Sequence, residues 1–566
     1  MKFQDYKYER VDIAALQKQG ADIQKQLSEA TSYEAFKKAF EESQKMLAYA
    51  MTMATISQIR FTIDTKDEFY AGEKAFWDEN GPLLSEIDNG VTQIVMTSPF
   101  KEDLKKDVPE TFFLQAENQL KTFTPEIIAD LQEENSLSSE YDKLIGGAEI
   151  EFRGETHTLA TLGAFKEDPD EEIRKAANIA YWAYIEEHEK ALDELYDKLI
   201  KVRDKIAKKL GFDSFTEVGY LRMNRFGYGA EDVANYRRQV LEHVVPVATK
   251  AYEHQKKRLG VDKLDVYNVD FKFKSGNPTP KHDKDTMVQI AKDMYKDLSP
   301  ATEEFFNFMV DKGLLDLEAK PGKAPGGYCT FIPDYESPFI FSNFNGTSGD
   351  VDVLTHEAGH AFQVYCSRHI RPLQCIFSSS DGAEIHSMSM EFFAWPWMEQ
   401  FFGEDADKYY YTHLASAIQF LPYGVLVDHF QHEIYANVNM TFEERKATWK
   451  RLAGMYLPHL AYDSVPFLDK GTWWFRQIHV FKYPFYYIDY TLAQVVALQF
   501  WSRLQDGDQK AFDDYHAICK AGGSLTFKEI VKLAKLNSPF EDGCLTAVMK
   551  NVDAYLENSS IKSEGI

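Results

Sequence analysis

His356, Glu357 and His360 stand in the run His-Glu-Ala-Gly-His. Side chains four apart share one face of a helix, so both imidazoles can reach a single tetrahedral zinc ion. A carboxylate beside the first His then points at a water in the open fourth position and can take its proton. Chance alone supplies this pentad in roughly a few per cent of chains of this length and histidine content, so the surroundings must decide. Gly346-Thr347-Ser348-Gly349 is a turn, and Asp350-Val351-Asp352 makes an acidic helix start after it. Val353, Leu354, Ala358, Ala361 and Phe362 follow as an apolar stripe at helical spacing. Gly359 costs about 1 kcal/mol relative to Ala in a helix, which implies close approach by a substrate or another backbone. The plainer alternative is two core or surface histidines on an ordinary helix.

The third ligand must come from downstream. A glycine and a histidine three and six residues after His360 would extend the pentad, but Gln363 and Cys366 stand there. Ser378, Ser379 and Ser380 occupy the place where a Glu follows after about twenty residues in another zinc class. The next carboxylates are Asp381, Glu384, Glu391 and Glu399. A helix is expected from Ser380 onward, carrying Ile385, Met388, Phe392 and Trp395. Glu384 and Glu391, two turns apart, share a face, so one can coordinate zinc while the other accepts a hydrogen bond from a ligand imidazole. Glu384 is assigned as the ligand and Glu391 as the orienting carboxylate; the alternative for Glu391 is a surface ion pair.

These residues resemble a known family. His356–His360, with Ala-Glu-Ile-His-Ser-Met-Ser-Met-Glu over 383–391, is similar to the zinc core of the thimet oligopeptidase and oligoendopeptidase F family of metallopeptidases. Arg476-Gln477-Ile478-His479 and the run from Pro484 to Gln494 resemble its second signature, and Phe344–Asp350 resembles the Pz-peptidase and oligoendopeptidase F branch. His386 departs from the pattern; two residues from Glu384 it points elsewhere on the helix, and a packing role is expected. In that family the Glu matching Glu384 is the third ligand. A His and tyrosines of the second signature serve as neutral donors to the negative oxygen formed when an amide is attacked. The resemblance thus implies His479, Tyr486 and Tyr490 for that task, with Tyr483 and Tyr487 in reserve because the spacing varies among relatives. Aromatic packing is the alternative for each Tyr in a chain with 31 of them.

The elements around these residues are mostly helical. Thr31-Ser32-Tyr33-Glu34 reads as a capping box opening a helix that runs past Met51, and further helices are expected at about 102–134 and 169–210. A small hairpin around Gly154 lies between them. The stretch 262–282 reads as a surface loop. Tyr328–Ile332 and Phe339–Phe344 read as two short strands ahead of the pentad, and an open strand edge there would accept an extended peptide as a further strand. Asp428-His429-Phe430-Gln431-His432-Glu433 has its histidines three apart with no base between them, so a structural role is expected.

At 566 residues and 44% hydrophobic, the chain has material for two or three packed lobes. A net charge of −26 argues against nucleic acid or an anionic membrane as partner. No stretch has the ~18 apolar residues of a membrane span, and no secretory signal is visible. Five scattered cysteines fit reduced thiols in the cytoplasm. The expectation is a mainly α, multi-lobed zinc endopeptidase with a small β-sheet beside the zinc helix and a deep channel. It has an N-terminal helical lobe over 1–200 and a catalytic domain over 201–566. It holds one zinc per chain, and the family resemblance implies internal cleavage of short peptides; its oligomeric state is left open. Two alternatives stand beside it: an end-trimming carboxypeptidase or dipeptidase, and a non-catalytic peptide binder that kept the metal.

Overall fold

The computed structural model describes residues 1–320, 322–324 and 326–564. Helices dominate, and the strands gather into three small sheets. The chain forms two compact units, each assembled from three separated stretches. The first takes Met1–Leu120, Thr279–Glu404 and Arg503–Leu536; the second takes Lys121–Pro278, Asp405–Ser502 and Asn537–Ile566. A cut at residue 200 falls within the helix Glu189–Lys209 of the second unit, so that sequence division and the compact units do not coincide.

In the first unit the helices Ile13–Ser28, Tyr33–Ile63 and Glu68–Thr97 pack on one another. Ile23, Leu27, Phe36, Phe40, Val91 and Val95 close their core together with Phe112 and Phe113. A three-stranded sheet packs against the Tyr33–Ile63 helix of this bundle. Its central strand, Ser337–Phe344, pairs in parallel with Leu315–Glu318 and antiparallel with Tyr328–Ile332. The central strand is buried over its first six residues, on both faces, as a strand covered from two sides must be. Tyr328–Ile332 is an edge strand, and among the described residues its outer side carries no backbone hydrogen bond. The two strands expected ahead of the pentad are therefore present, and the turn between them is a 3₁₀ turn at Pro333–Tyr335.

The second unit is built on the helices Ile128–Gly146, Glu171–Glu187, Glu189–Lys209, Val245–Leu259 and Ala406–Ala436. Arg203 is fully buried in it, held by Glu134 at 2.7 Å, the Tyr435 hydroxyl at 3.1 Å and the Phe481 carbonyl at 2.6 Å. Burying a guanidinium is tolerable only with such full pairing, and here it pins the segment that leads to Tyr486.

Several local expectations are corrected. The cap of the second helix is Ser32, whose hydroxyl accepts from the Ala35 N–H, and Thr31 lies outside it. The region 102–134 is broken into Lys101–Leu104, Glu110–Thr122 and Ile128–Gly146, because Pro109 and Pro125 each remove a backbone donor. The region 169–210 is two helices that part at His188. The hairpin Ile150–Phe152/Glu155–His157 turns through Arg153 and Gly154, both at positive φ, as a two-residue turn requires. The 262–282 stretch is not simply a surface loop, since Leu264, Phe271 and Phe273 are buried. Among the described residues, no helix is long and apolar enough to cross a membrane.

Candidate active site

The pentad lies on a continuous helical run: Gly349–Asp352, a π-helical turn at Val353–Glu357, then Ala358–Ser367. Asp350 starts it, accepting the Asn345 and Gly346 N–H groups at 2.9 and 2.7 Å and so fixing the preceding turn. The widened turn ends on His356 and Glu357, and π-turns of this kind are found mostly at functional sites. His356 and His360 come together on one face, ring centroids 5.1 Å apart and nearly perpendicular.

Glu384 meets them from the neighbouring helix Ser380–Phe393. Its Oε2 lies 3.3 Å from His356 Nε2 and 3.4 Å from His360 Nε2. Ligand atoms ~2.0–2.1 Å from a tetrahedral zinc must stand roughly 3.3–3.4 Å from each other, so these residues fit that ion. Among the described residues they are the one group of His, Cys, Asp and Glu that could hold a metal. Their side chains are 27, 18 and 11% exposed, which leaves the group open on one side.

Outer partners aim two of the three, His356 and Glu384. His356 Nδ1 lies 2.6 Å from Glu391 Oε1, so Nδ1 carries a hydrogen and Nε2 faces Glu384, the nitrogen that would coordinate a metal. The Ser387 hydroxyl donates to Glu384 Oε2 at 2.9 Å. Burial by itself would raise the Glu384 carboxyl, but the bonds from His356 and His360 outweigh it and hold the group well below the usual range. Burial would lower His356, yet Glu384 and Glu391 carry it well above its ordinary value. A group of charges that so favours a shared proton favours a cation equally.

Gly359 explains why the two helices can come this close. A Cβ there would lie 2.7 Å from the His386 carbonyl oxygen and 2.7 Å from Ser387 Cα. The close approach foreseen at this glycine is therefore another backbone, that of the Glu384 helix. Half-exposed Glu357 lies beside the edge strand: the Cys329 thiol is pushed up first by burial and then by the Glu357 charge. His386 is fully buried, and burial takes it down to about 4; its carbonyl accepts from the Tyr515 hydroxyl at 2.8 Å.

His479, Tyr486 and Tyr490 lie in the second unit and form one aromatic group. The His479 ring stacks on Tyr486 at 5.7 Å and meets Tyr490 edge-on at 6.0 Å, with Tyr486 and Tyr490 5.2 Å apart. Of the two reserves, Tyr487 is 4.6 Å from His479, and burial raises its phenol far above the ordinary value; Tyr483 is 47% exposed. Burial pushes His479 down to about 4, so the ring is neutral near pH 7. Gln477 and Phe485 were missed by sequence reasoning. The Gln477 amide lies 2.7 Å from His479 Nδ1 while its oxygen accepts from the Tyr423 hydroxyl at 2.6 Å. That orientation makes Nδ1 the acceptor and leaves Nε2–H as a free-standing donor. Phe485 holds a left-handed φ of 68°, uncommon for a bulky residue. Its ring fills the space left by Gly219, its N–H reaches Gln431 Oε1 at 3.1 Å, and Arg225 donates to its carbonyl. This enforced turn sets the register of Tyr486 and Tyr490. The Asp428–Glu433 patch is structural in its contacts: Arg237 pairs with Asp428 at 2.8 Å, and the Tyr220 hydroxyl bonds His432 at 2.9 Å.

The profile described as Peptidase M3 N-terminal domain matches residues 3–123, and that described as Peptidase family M3 matches residues 164–550. An oligoendopeptidase F homolog of Borreliella burgdorferi is 23% identical over 466 residues, 78% of this chain and 75% of that protein. A solved structure of PZ peptidase A with an inhibitor is 48% identical, with a TM-score of 0.92, over 99% of this chain and 100% of that one. Another, assigned as an oligoendopeptidase F, is 50% identical with a TM-score of 0.92 over 100% of both chains. The chain belongs to peptidase family M3 and is a metalloendopeptidase.

Proposed function

We propose that this protein is a zinc-dependent oligoendopeptidase in which His356, His360 and Glu384 hold one zinc ion per chain and Glu357 is the general base. The observation that carries the reading is the Glu384 carboxylate oxygen at 3.3 and 3.4 Å from two imidazole nitrogens, with an acidic side chain next in sequence to the first. Zinc bound there would supply a Lewis acid that acidifies a water and polarises the scissile carbonyl. The Glu357 carboxylate takes a proton from the attacking water and delivers it to the leaving amine nitrogen. His479 Nε2–H and the phenols of Tyr486 and Tyr490 donate to the oxygen on which negative charge develops. Neutral donors suit that task, and burial keeps His479 uncharged. Glu391 keeps His356 in the tautomer that coordinates through Nε2. The unpaired outer side of Tyr328–Ile332 offers backbone groups to an extended peptide.

Short peptides are the substrates in this reading. A folded protein would have to free several residues of backbone, at ~1–2 kcal/mol each, whereas a short peptide is already disordered. The free state of all five cysteines supports a reducing compartment such as the cytoplasm. Incubation with a ladder of peptides alongside casein, with mass spectrometry of the products, tests the assignment. Internal cuts in peptides of around ten residues and negligible digestion of casein are expected. Removal of terminal residues would make it an end-trimming enzyme, and no cleavage by the zinc-loaded protein would leave a peptide binder.

A further inference from the structure

Charges withdrawn from water are normally paired. The second unit obeys this at Arg203 with Glu134 at 2.7 Å, Arg225 with Asp489 at 2.8 Å and Arg445 with Asp197 at 2.6 Å. It departs from it at Lys166 and Arg476. Both are half-buried, and neither forms an ion pair among the described residues. Instead aromatic faces surround them: Lys166 Nζ is 4.7 Å from the Tyr181 ring, and the Arg476 guanidinium is 4.9 Å from Trp473 and 5.9 Å from Trp182. Burial pushes Lys166 down, and Arg476 pushes it further, so the two cations repel one another. The carboxylate that acts on both is Asp270, which is exposed and forms no ion pair with either. In a chain of net charge −26, two neighbouring cations left without a bonded anion are a conspicuous cost unless an anion arrives.

The surroundings say which anion. Four separate stretches bring the group together: the turn Gly163–Glu167, the helix Glu171–Glu187 with Tyr181, the helix Ala406–Ala436 with Tyr423, and the turn Trp473–Arg476. Tyr423, whose phenol feels Arg476, donates to the same Gln477 side chain that holds His479. Through Tyr423 and Gln477, Arg476 is therefore joined by a chain of contacts to the His479 ring. A planar guanidinium with an ammonium beside it suits a carboxylate, which can accept from both, while the Tyr423 hydroxyl is already given to Gln477.

We propose that Lys166 and Arg476, framed by Tyr181 and Tyr423, form a subsite for a carboxylate of the peptide substrate, its C-terminal group or an acidic side chain; this rests on the peptidase reading above. The site acts as an anchor that places the peptide relative to the His479 group.

Direct binding to the full-length Glu357→Gln protein tests it. A fluorescent ten-residue peptide without acidic side chains is compared as free acid and as C-terminal amide, and the amide is then given one Asp at successive positions. The free acid, or one Asp position of the amide, is expected to bind about tenfold or more tighter than the plain amide, the size of a charge-assisted hydrogen bond. Arg476→Gln and, independently, Lys166→Gln should reduce that ratio severalfold while plain-amide binding stays near the parent value, which also reports that each variant is folded. Equal affinity for the acid, the amide and every Asp series member overturns the proposal, as does full discrimination in both variants. Wild-type protein that cuts the acid, the plain amide and every Asp-bearing amide at equal rates would sink the subsite alone; cutting none of them would sink the peptidase reading, and the binding ratio would still judge the subsite.

Discussion

The metal group of the first unit and the His479 group of the second are held by opposite means. His356, His360 and Glu384 are charged or chargeable groups on two helices pressed together at Gly359, with a fixed partner behind His356 and behind Glu384. His479, Tyr486 and Tyr490 are neutral groups on irregular backbone, held by ring contacts and by the left-handed turn at Phe485. In the function proposed above, the first arrangement holds a cation and needs its carboxylates ionised, whereas the second donates hydrogen bonds and needs its imidazole uncharged and its phenols protonated.

The largest effect that would break this contrast is loss of the metal. Glu384→Ala should drop zinc content far below one per chain and abolish turnover while leaving the helical circular dichroism intact, because a fold of this size does not depend on one ion. Full zinc content in that variant would transfer the ligand role to Glu391. In the second group, Tyr486→Phe or Tyr490→Phe should lower kcat on the order of 10–1000-fold with a smaller change in KM and no loss of zinc. Unchanged kinetics in both would point to Tyr483 or Tyr487.

Legibility in the sequence follows the same divide. The pentad and Glu384 could be found from spacing because regular helices convert sequence intervals into faces. The strands before the pentad were visible as short aromatic and β-branched runs on either side of the Pro333–Pro338 turn. The tyrosine register was not visible, because it depends on Phe485 adopting a conformation enforced by Gly219, Gln431 and Arg225, all far away in sequence. Gln477 lay in plain view two residues before His479, but only the bond from Tyr423 gives its amide an orientation. The breaks at Pro109 and Pro125 were signalled locally and overridden by periodicity.

A smaller effect concerns the spacing of the two helices. Gly359→Ala adds a methyl group 2.7 Å from Ser387 Cα, and the Glu384 helix must shift to admit it. A loss of about 1–3 kcal/mol in denaturant unfolding is expected, with weaker zinc retention in a chelator competition. Unchanged stability and zinc retention would mean the two helices are not held at that distance.

The smallest effect is on pH. His432 and His479 are taken down to about 4 and His459 to about 3, each first by burial. Both ring nitrogens of His459 are buried without a partner, beneath a ring stacked on Tyr252 at 3.5 Å. A histidine lowered from 6.5 takes up its proton in the unfolded chain first, so its contribution is complete above pH 6.5 and declines as pH falls toward its folded value, about 4 for His432 and His479 and about 3 for His459. The denaturant midpoint should therefore drop between pH 7 and 5, and drop less steeply in His459→Gln. An equal slope in that variant would remove His459 from the account.

Zinc content and turnover measured on the same preparation of Glu357→Gln test the division of roles most directly. Glu357 is assigned to move a proton and not to hold the metal, so the variant should keep about one zinc per chain and still bind peptide, while turnover falls ~100-fold or more. Near-normal turnover with full zinc would contradict the general-base role, and loss of zinc would contradict the assignment of the ligand set to His356, His360 and Glu384.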